Sequence, residues 1–100
     1  MTDAKLLKSW KITETLLERA RHALPDPSEQ NEQQYATLLA QYHTFLEHNE
    51  LGLALGTLEE LGHLIPCRGG FWRDLERAAE NMGLVDRLPA LRKSFSDALK

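Results

Sequence analysis

At 100 residues, 42% of them apolar and 27% charged, the chain has the size of one domain and the means to bury one hydrophobic core. That balance excludes a disordered polymer. No apolar run approaches the roughly 18 residues that cross a bilayer, and the lone cysteine, Cys67, excludes an internal disulfide framework. The net charge of −3 hides a division: residues 1–25 carry +2, residues 26–66 carry −7 with no Lys or Arg, and residues 67–100 carry +2.

The first predicted element is a helix over about Ala4 to Leu24. Leu6, Trp10, Thr13, Leu17, Ala20 and Leu24 recur at steps of three and four, with Ile12 and Leu16 broadening the apolar side. Pro25 and Pro27 end it, because proline lacks the amide donor and restricts its neighbour. Ser28 or Asn31 caps the second helix, expected over about Glu29 to Glu47, whose apolar side holds Tyr35, Leu38, Leu39, Tyr42, Phe45 and Leu46.

Asn49 marks the transition to a third helix, with Glu50 placed to complement its exposed amides. Leu51, Ala54, Leu55, Leu58, Leu61 and Ile65 form its stripe. Gly52 and Gly56 lie four apart and each costs about 1 kcal/mol of helix propensity, which predicts a close helix crossing as compensation. Gly62 is expected to begin the exit before Pro66, and Cys67-Arg68-Gly69-Gly70 to form a turn. A fourth helix comes next with Phe71, Trp72, Leu75, Ala78, Ala79 and Met82, capped by Gly83. Pro89 suits the first turn of a fifth, which carries Leu91, Phe95 and Leu99. The expected fold is therefore all-α: a single domain over residues 1–100, a compact bundle of four or five short antiparallel helices.

The chemistry-bearing residues fall into no catalytic pattern. His22, His43, His48 and His63 lack metal-ligand spacing, since His43 and His48 are five apart and no Cys/His pair completes a zinc set. Cys67 beside Arg68 is not by itself an activated thiolate. Neighbouring carboxylates on a helix, such as Glu59 and Glu60, do not face one another as an acid–base pair must. The basic residues Lys5, Lys8, Lys11, Arg19 and Arg21 lie on the first helix. On the fourth, Asp74, Glu76 and Glu80 are interspersed with Arg73 and Arg77, so no concentrated basic recognition helix is visible. These readings lead us to expect no enzyme, no metal, no cofactor and no direct nucleic-acid contact. Met1 to Lys8 show no apolar stretch leading to a cleavage site, which makes the cytoplasm the expected compartment.

Phe45-Leu46-Glu47-His48-Asn49-Glu50-Leu51-Gly52-Leu53-Ala54-Leu55, then Leu58-Glu59-Glu60-Leu61, Phe71-Trp72-Arg73-Asp74-Leu75 and Ala78-Ala79-Glu80-Asn81-Met82-Gly83-Leu84 form the clearest local signature. Over about residues 35–84 it resembles the small helical immunity proteins of bacterial polymorphic toxins, the MafI-like class. The resemblance implies a cytoplasmic protein that neutralises a cognate toxin by tight binding, without a cofactor. An acidic segment fits a basic partner such as a nuclease, because complementary charge speeds encounter. Glu47, Glu50, Glu59 and Glu60 are the first candidates for contact, with His48 and Asn49 at the junction and Asp26, Glu29 and Glu32 as steering charges. The plainer readings are a solvated acidic surface for the carboxylates and helix capping for His48 and Asn49. The alternative function is a helical adaptor or homodimeric subunit, since the apolar stripes are broad for a chain of this size.

Overall fold

The structure, a computed structural model, describes the backbone of residues 4–100 and the side chains from Lys8 onward, so Lys5 and Leu6 lie outside the described side chains. Among the described residues five helices succeed one another: α1 (Ala4–His22), α2 (Glu32–Glu47), α3 (Leu51–Leu64), α4 (Gly69–Met82) and α5 (Leu88–Ala98), with one 3₁₀ turn at Val85–Arg87 before α5. No strand occurs among the described residues.

Long-range contacts fix the topology. Asn81 on α4 meets Ser9 and Thr13 on α1, and Arg19 further along α1 meets Asp74 earlier on α4, so the two helices run antiparallel. Asn31, just before α2, donates to the Leu64 carbonyl at the end of α3, which sets that pair antiparallel too. Arg92 reaches back to Glu76, and Gly69 lies against Phe95 and Leu99, so α5 folds antiparallel along α4. Helix α4 is central: α1, α3 and α5 all pack on it, whereas α2 packs mainly on α3.

The core is the sum of the apolar stripes. Leu17 and Ala20 come from α1, Leu38 and Tyr42 from α2, and Leu51, Ala54, Leu55, Leu58 and Leu61 from α3. Phe71, Trp72, Leu75, Ala78 and Ala79 come from α4, and Leu88 and Leu91 from the start of α5. Each fully buried Leu or Phe contributes about 1.5–3 kcal/mol of transfer free energy, which outweighs the weak propensity of the short helices. Tyr42 is fully buried but its hydroxyl donates to Glu18 Oε1 at 3.0 Å, tying α2 to α1. Burial first, and then the Glu18 charge and hydrogen bond, hold the Tyr42 phenol far above its ordinary pKa. It is a core residue, as its place on the apolar side of the helix predicts.

The structure departs from the expected helix ends and glycine roles in several places. Helix α2 starts at Glu32 rather than Glu29; residues 28–31 form a turn closed by the Asn31 amide on the Ser28 carbonyl, and neither Ser28 nor Asn31 supplies a side-chain cap. Gly62 does not begin an exit. Helix α3 continues to Leu64, and Gly62 is buried because the rings of Phe71 and Trp72 occupy the space a side chain would take. Gly69 and Gly70 form the first turn of α4 rather than a preceding loop, and Gly69 lets Phe95 and Leu99 of the α5 segment approach. Gly52 and Gly56 admit no second helix backbone; the groups over them are the Leu84 side chain and the Arg87 guanidinium, which also donates to the Gly52 carbonyl.

Gly83 is the expected cap, at φ 74°, with the Leu84 amide closing on the Ala79 carbonyl. Pro89 sits in the first turn of α5.

Candidate protein-interaction surface

Helix α2 ends in a reversal built like the one at Gly83. The Glu50 amide closes on the Phe45 carbonyl and the Asn49 amide on the Leu46 carbonyl, with Asn49 at φ 58°. This is a Schellman closure with asparagine in the left-handed position, which asparagine tolerates better than most residues. His48 and Asn49 therefore terminate the helix, and in doing so they stand exposed between Glu47 and Glu50. The closure places both carboxylates at one tip of the α2–α3 hairpin, where no cation among the described residues meets either of them.

The acidic residues do not form one face. Asp26, Glu29 and Glu32 lie at the opposite end of the hairpin, beside the end of α3. The 16 residues of α2 separate the two ends by about 24 Å. Glu60 is exposed midway. Glu59 turns inward: its side chain is 20% exposed and its Oε1 lies 3.8 Å from Arg87 Nε. Burial pushes the Glu59 carboxyl above its ordinary pKa, opposed by the charges of Arg87 and His63. Of the nine predicted residues, the four that are consecutive in sequence, Glu47, His48, Asn49 and Glu50, share the tip, and tertiary packing adds none of the other five to them.

Next to this tip lies an open groove of about 350 Å³, lined by Trp10, Asn49, Leu51, Gly52, Met82 and Leu84 together with small polar groups of α1 and α4. Trp10 belongs to the predicted core stripe of α1 but is 44% exposed. Ser9 and Thr13, on either side of Trp10 in the chain, both meet Asn81, so Trp10 lies within the overlap of α1 and α4 but at the edge of the face that α4 covers. Leu53, in the first turn of α3, is 54% exposed. Sequence periodicity shows which residues share a helix face. It does not show how much of that face the partner helix covers.

The remaining chemistry is quiet. Among the described residues no group of three or more His, Cys, Asp or Glu could hold a metal ion. Burial pushes the Cys67 thiol up to about 11, and its Sγ donates to the Ile65 carbonyl, the opposite of an activated thiolate. His63 stacks obliquely on Trp72. Among the described residues no helix is long and apolar enough to cross a membrane.

Fold and surface together define a compact all-α bundle of five short helices. Comparison with protein-family models, curated proteins and solved structures gives no match.

Proposed function

We propose that the chain is a non-catalytic helical interaction module, an adaptor that binds a basic protein partner at the α2–α3 tip and the groove beside it. The observation that carries this is the continuity of two features. Carboxylates free of intramolecular cations among the described residues stand on the rim, and a half-exposed tryptophan with Met82 and Leu84 lines the groove. Tight interfaces combine an aromatic or aliphatic anchor in a concave site with a charged rim that sets encounter rate and register. A basic amphipathic segment supplies both complements.

The narrower form of this reading is an immunity-like role. The MafI-like signature spans the same tip, and a toxin that acts on nucleic acid presents a basic surface that Glu47 and Glu50 would cover. In that role the protein works in the cytoplasm, without a cofactor, by occluding the toxin's functional surface. Exposed Trp10 and Leu53 also suit a homodimeric subunit, which concentration-dependent size measurements distinguish.

The deciding experiment is co-purification with the product of the neighbouring gene, followed by binding measurements on Glu47→Lys/Glu50→Lys. Association should weaken about tenfold or more and lose part of its salt sensitivity. A folded double variant that binds unchanged removes the tip from the interface, and a neighbouring product that is no toxin and is not neutralised removes the immunity reading.

A further inference from the structure

On the other side of the molecule, the end of α1 and the first half of α4 enclose an open groove of about 630 Å³, lined by Arg19, His22, Arg68, Arg73, Asp74 and Arg77 among others. Four arginines against one aspartate leave it a formal charge of +3 with His22 neutral, on a chain whose net charge is −3. This concentration is invisible along the sequence, where Asp74, Glu76 and Glu80 are interspersed with Arg73 and Arg77. In three dimensions the acids are taken elsewhere. Glu76 and Glu80 turn toward α5, where Arg92 lies 3.0 and 3.9 Å from them. Only Asp74 stays, 3.6 Å from Arg19.

Among the described residues, Arg68 and Arg77 meet no carboxylate, and the Arg73 guanidinium rests 4.7 Å over the Phe95 ring, a contact that keeps its charge. Every Lys or Arg cation lining the groove is arginine, so each offers a planar fork of donors.

We propose that this groove binds a phosphate-bearing anion. Arg19 comes from one wall and Arg68 and Arg77 from the other, with Arg73 adding charge at the rim toward α5. A planar carboxylate presents its two oxygens to a single fork, whereas a tetrahedral phosphate accepts forks from both walls at once, and near neutrality it carries about −2 charge as a monoester and about −1 as a backbone diester. The phosphate belongs either to a small phosphorylated compound or to a nucleic-acid backbone.

The test uses the full chain at about 50 mM salt, where phosphate contacts are strongest, with three probes: inorganic pyrophosphate, a mixed-sequence single-stranded oligonucleotide and a poly-glutamate peptide. Saturable phosphate binding is expected. The double variant Arg68→Glu/Arg77→Glu should weaken it roughly tenfold or more without lowering the melting temperature, since neither residue has an ion pair among the described residues to lose. Lys93→Glu, outside the groove, should leave it unchanged. An oligonucleotide that binds more tightly than pyrophosphate identifies a nucleic-acid backbone as the source; pyrophosphate binding as tightly or more so identifies a small phosphorylated ligand. Absence of saturable binding by both, insensitivity to the arginine substitutions, or tighter binding of poly-glutamate overturns the proposal.

Discussion

Glu59 lies 3.8 Å from the Arg87 guanidinium, yet its Oε1 is buried and accepts no hydrogen bond. The pair is close enough to attract and too far to satisfy the oxygen. Desolvation is the largest influence and raises the carboxyl pKa above 4.5; the Arg87 charge lowers it by less. A carboxyl raised on folding favours the folded state while protonated, so that contribution is present below the unfolded value near 4.5 and is lost as pH rises through the folded value. Glu59→Gln should therefore equal or exceed the native protein in stability at neutral pH, with the difference shrinking as pH falls through the folded value toward 4.5 and levelling off below it. Urea unfolding across that range measures it. A native protein that gains stability relative to the variant as pH rises would show that the Arg87 attraction dominates.

The space above Gly62 belongs to aromatic rings. A Cβ there would stand 2.6 Å from Phe71 Cε1 and 2.6 Å from Trp72 Cη2, and these two rings are themselves locked edge to face at 5.0 Å. Gly62→Ala gains about 1 kcal/mol of helix propensity but forces buried rings off their packing at about 1–3 kcal/mol. The expected result is net destabilisation, read as a lower urea midpoint and a shifted Trp fluorescence. Gly70→Ala is the control: nothing lies within 4 Å of its Cβ direction, so it should be neutral or stabilising. A Gly62→Ala protein as stable as the control would refute the close approach.

Asn81 joins α4 to α1 through one nitrogen that faces the Ser9 carbonyl at 2.7 Å, Thr13 Oγ1 at 2.7 Å and Ser9 Oγ at 3.2 Å. Thr13 is buried, so losing this donor leaves its hydroxyl poorly satisfied, at a cost of about 1–2 kcal/mol. Asn81→Ala should destabilise by that amount. Combined with Thr13→Val it should cost less than the sum of the two single changes, because both remove the same bond. Strict additivity in a double-mutant cycle would mean that the contact contributes nothing. The same clasp borders the Trp10 groove, so Asn81→Ala should also weaken any partner bound there.

The helices, their stripes and their stops are legible in the residues because they depend on neighbours three or four positions away. Leu51, Leu58 and Leu61 in the core, Gly83 at positive φ and Pro89 in a first turn are all consequences of local periodicity and backbone sterics. The acidic character of residues 26–66 is likewise a property of composition. Docking decided the rest. It buried Gly62 under two rings, left Trp10 half-exposed at the edge of the α1–α4 contact, and turned Glu59 toward a cation on the 3₁₀ turn. It also spread the acids over both hairpin ends and the stretch between them, while gathering Arg19 of α1, Arg68 just before α4, and Arg73 and Arg77 of α4 around one groove. Periodicity specifies direction around a helix axis. Which charges meet, and which stay open to a partner, depends on the register and length of the helices packed beside them.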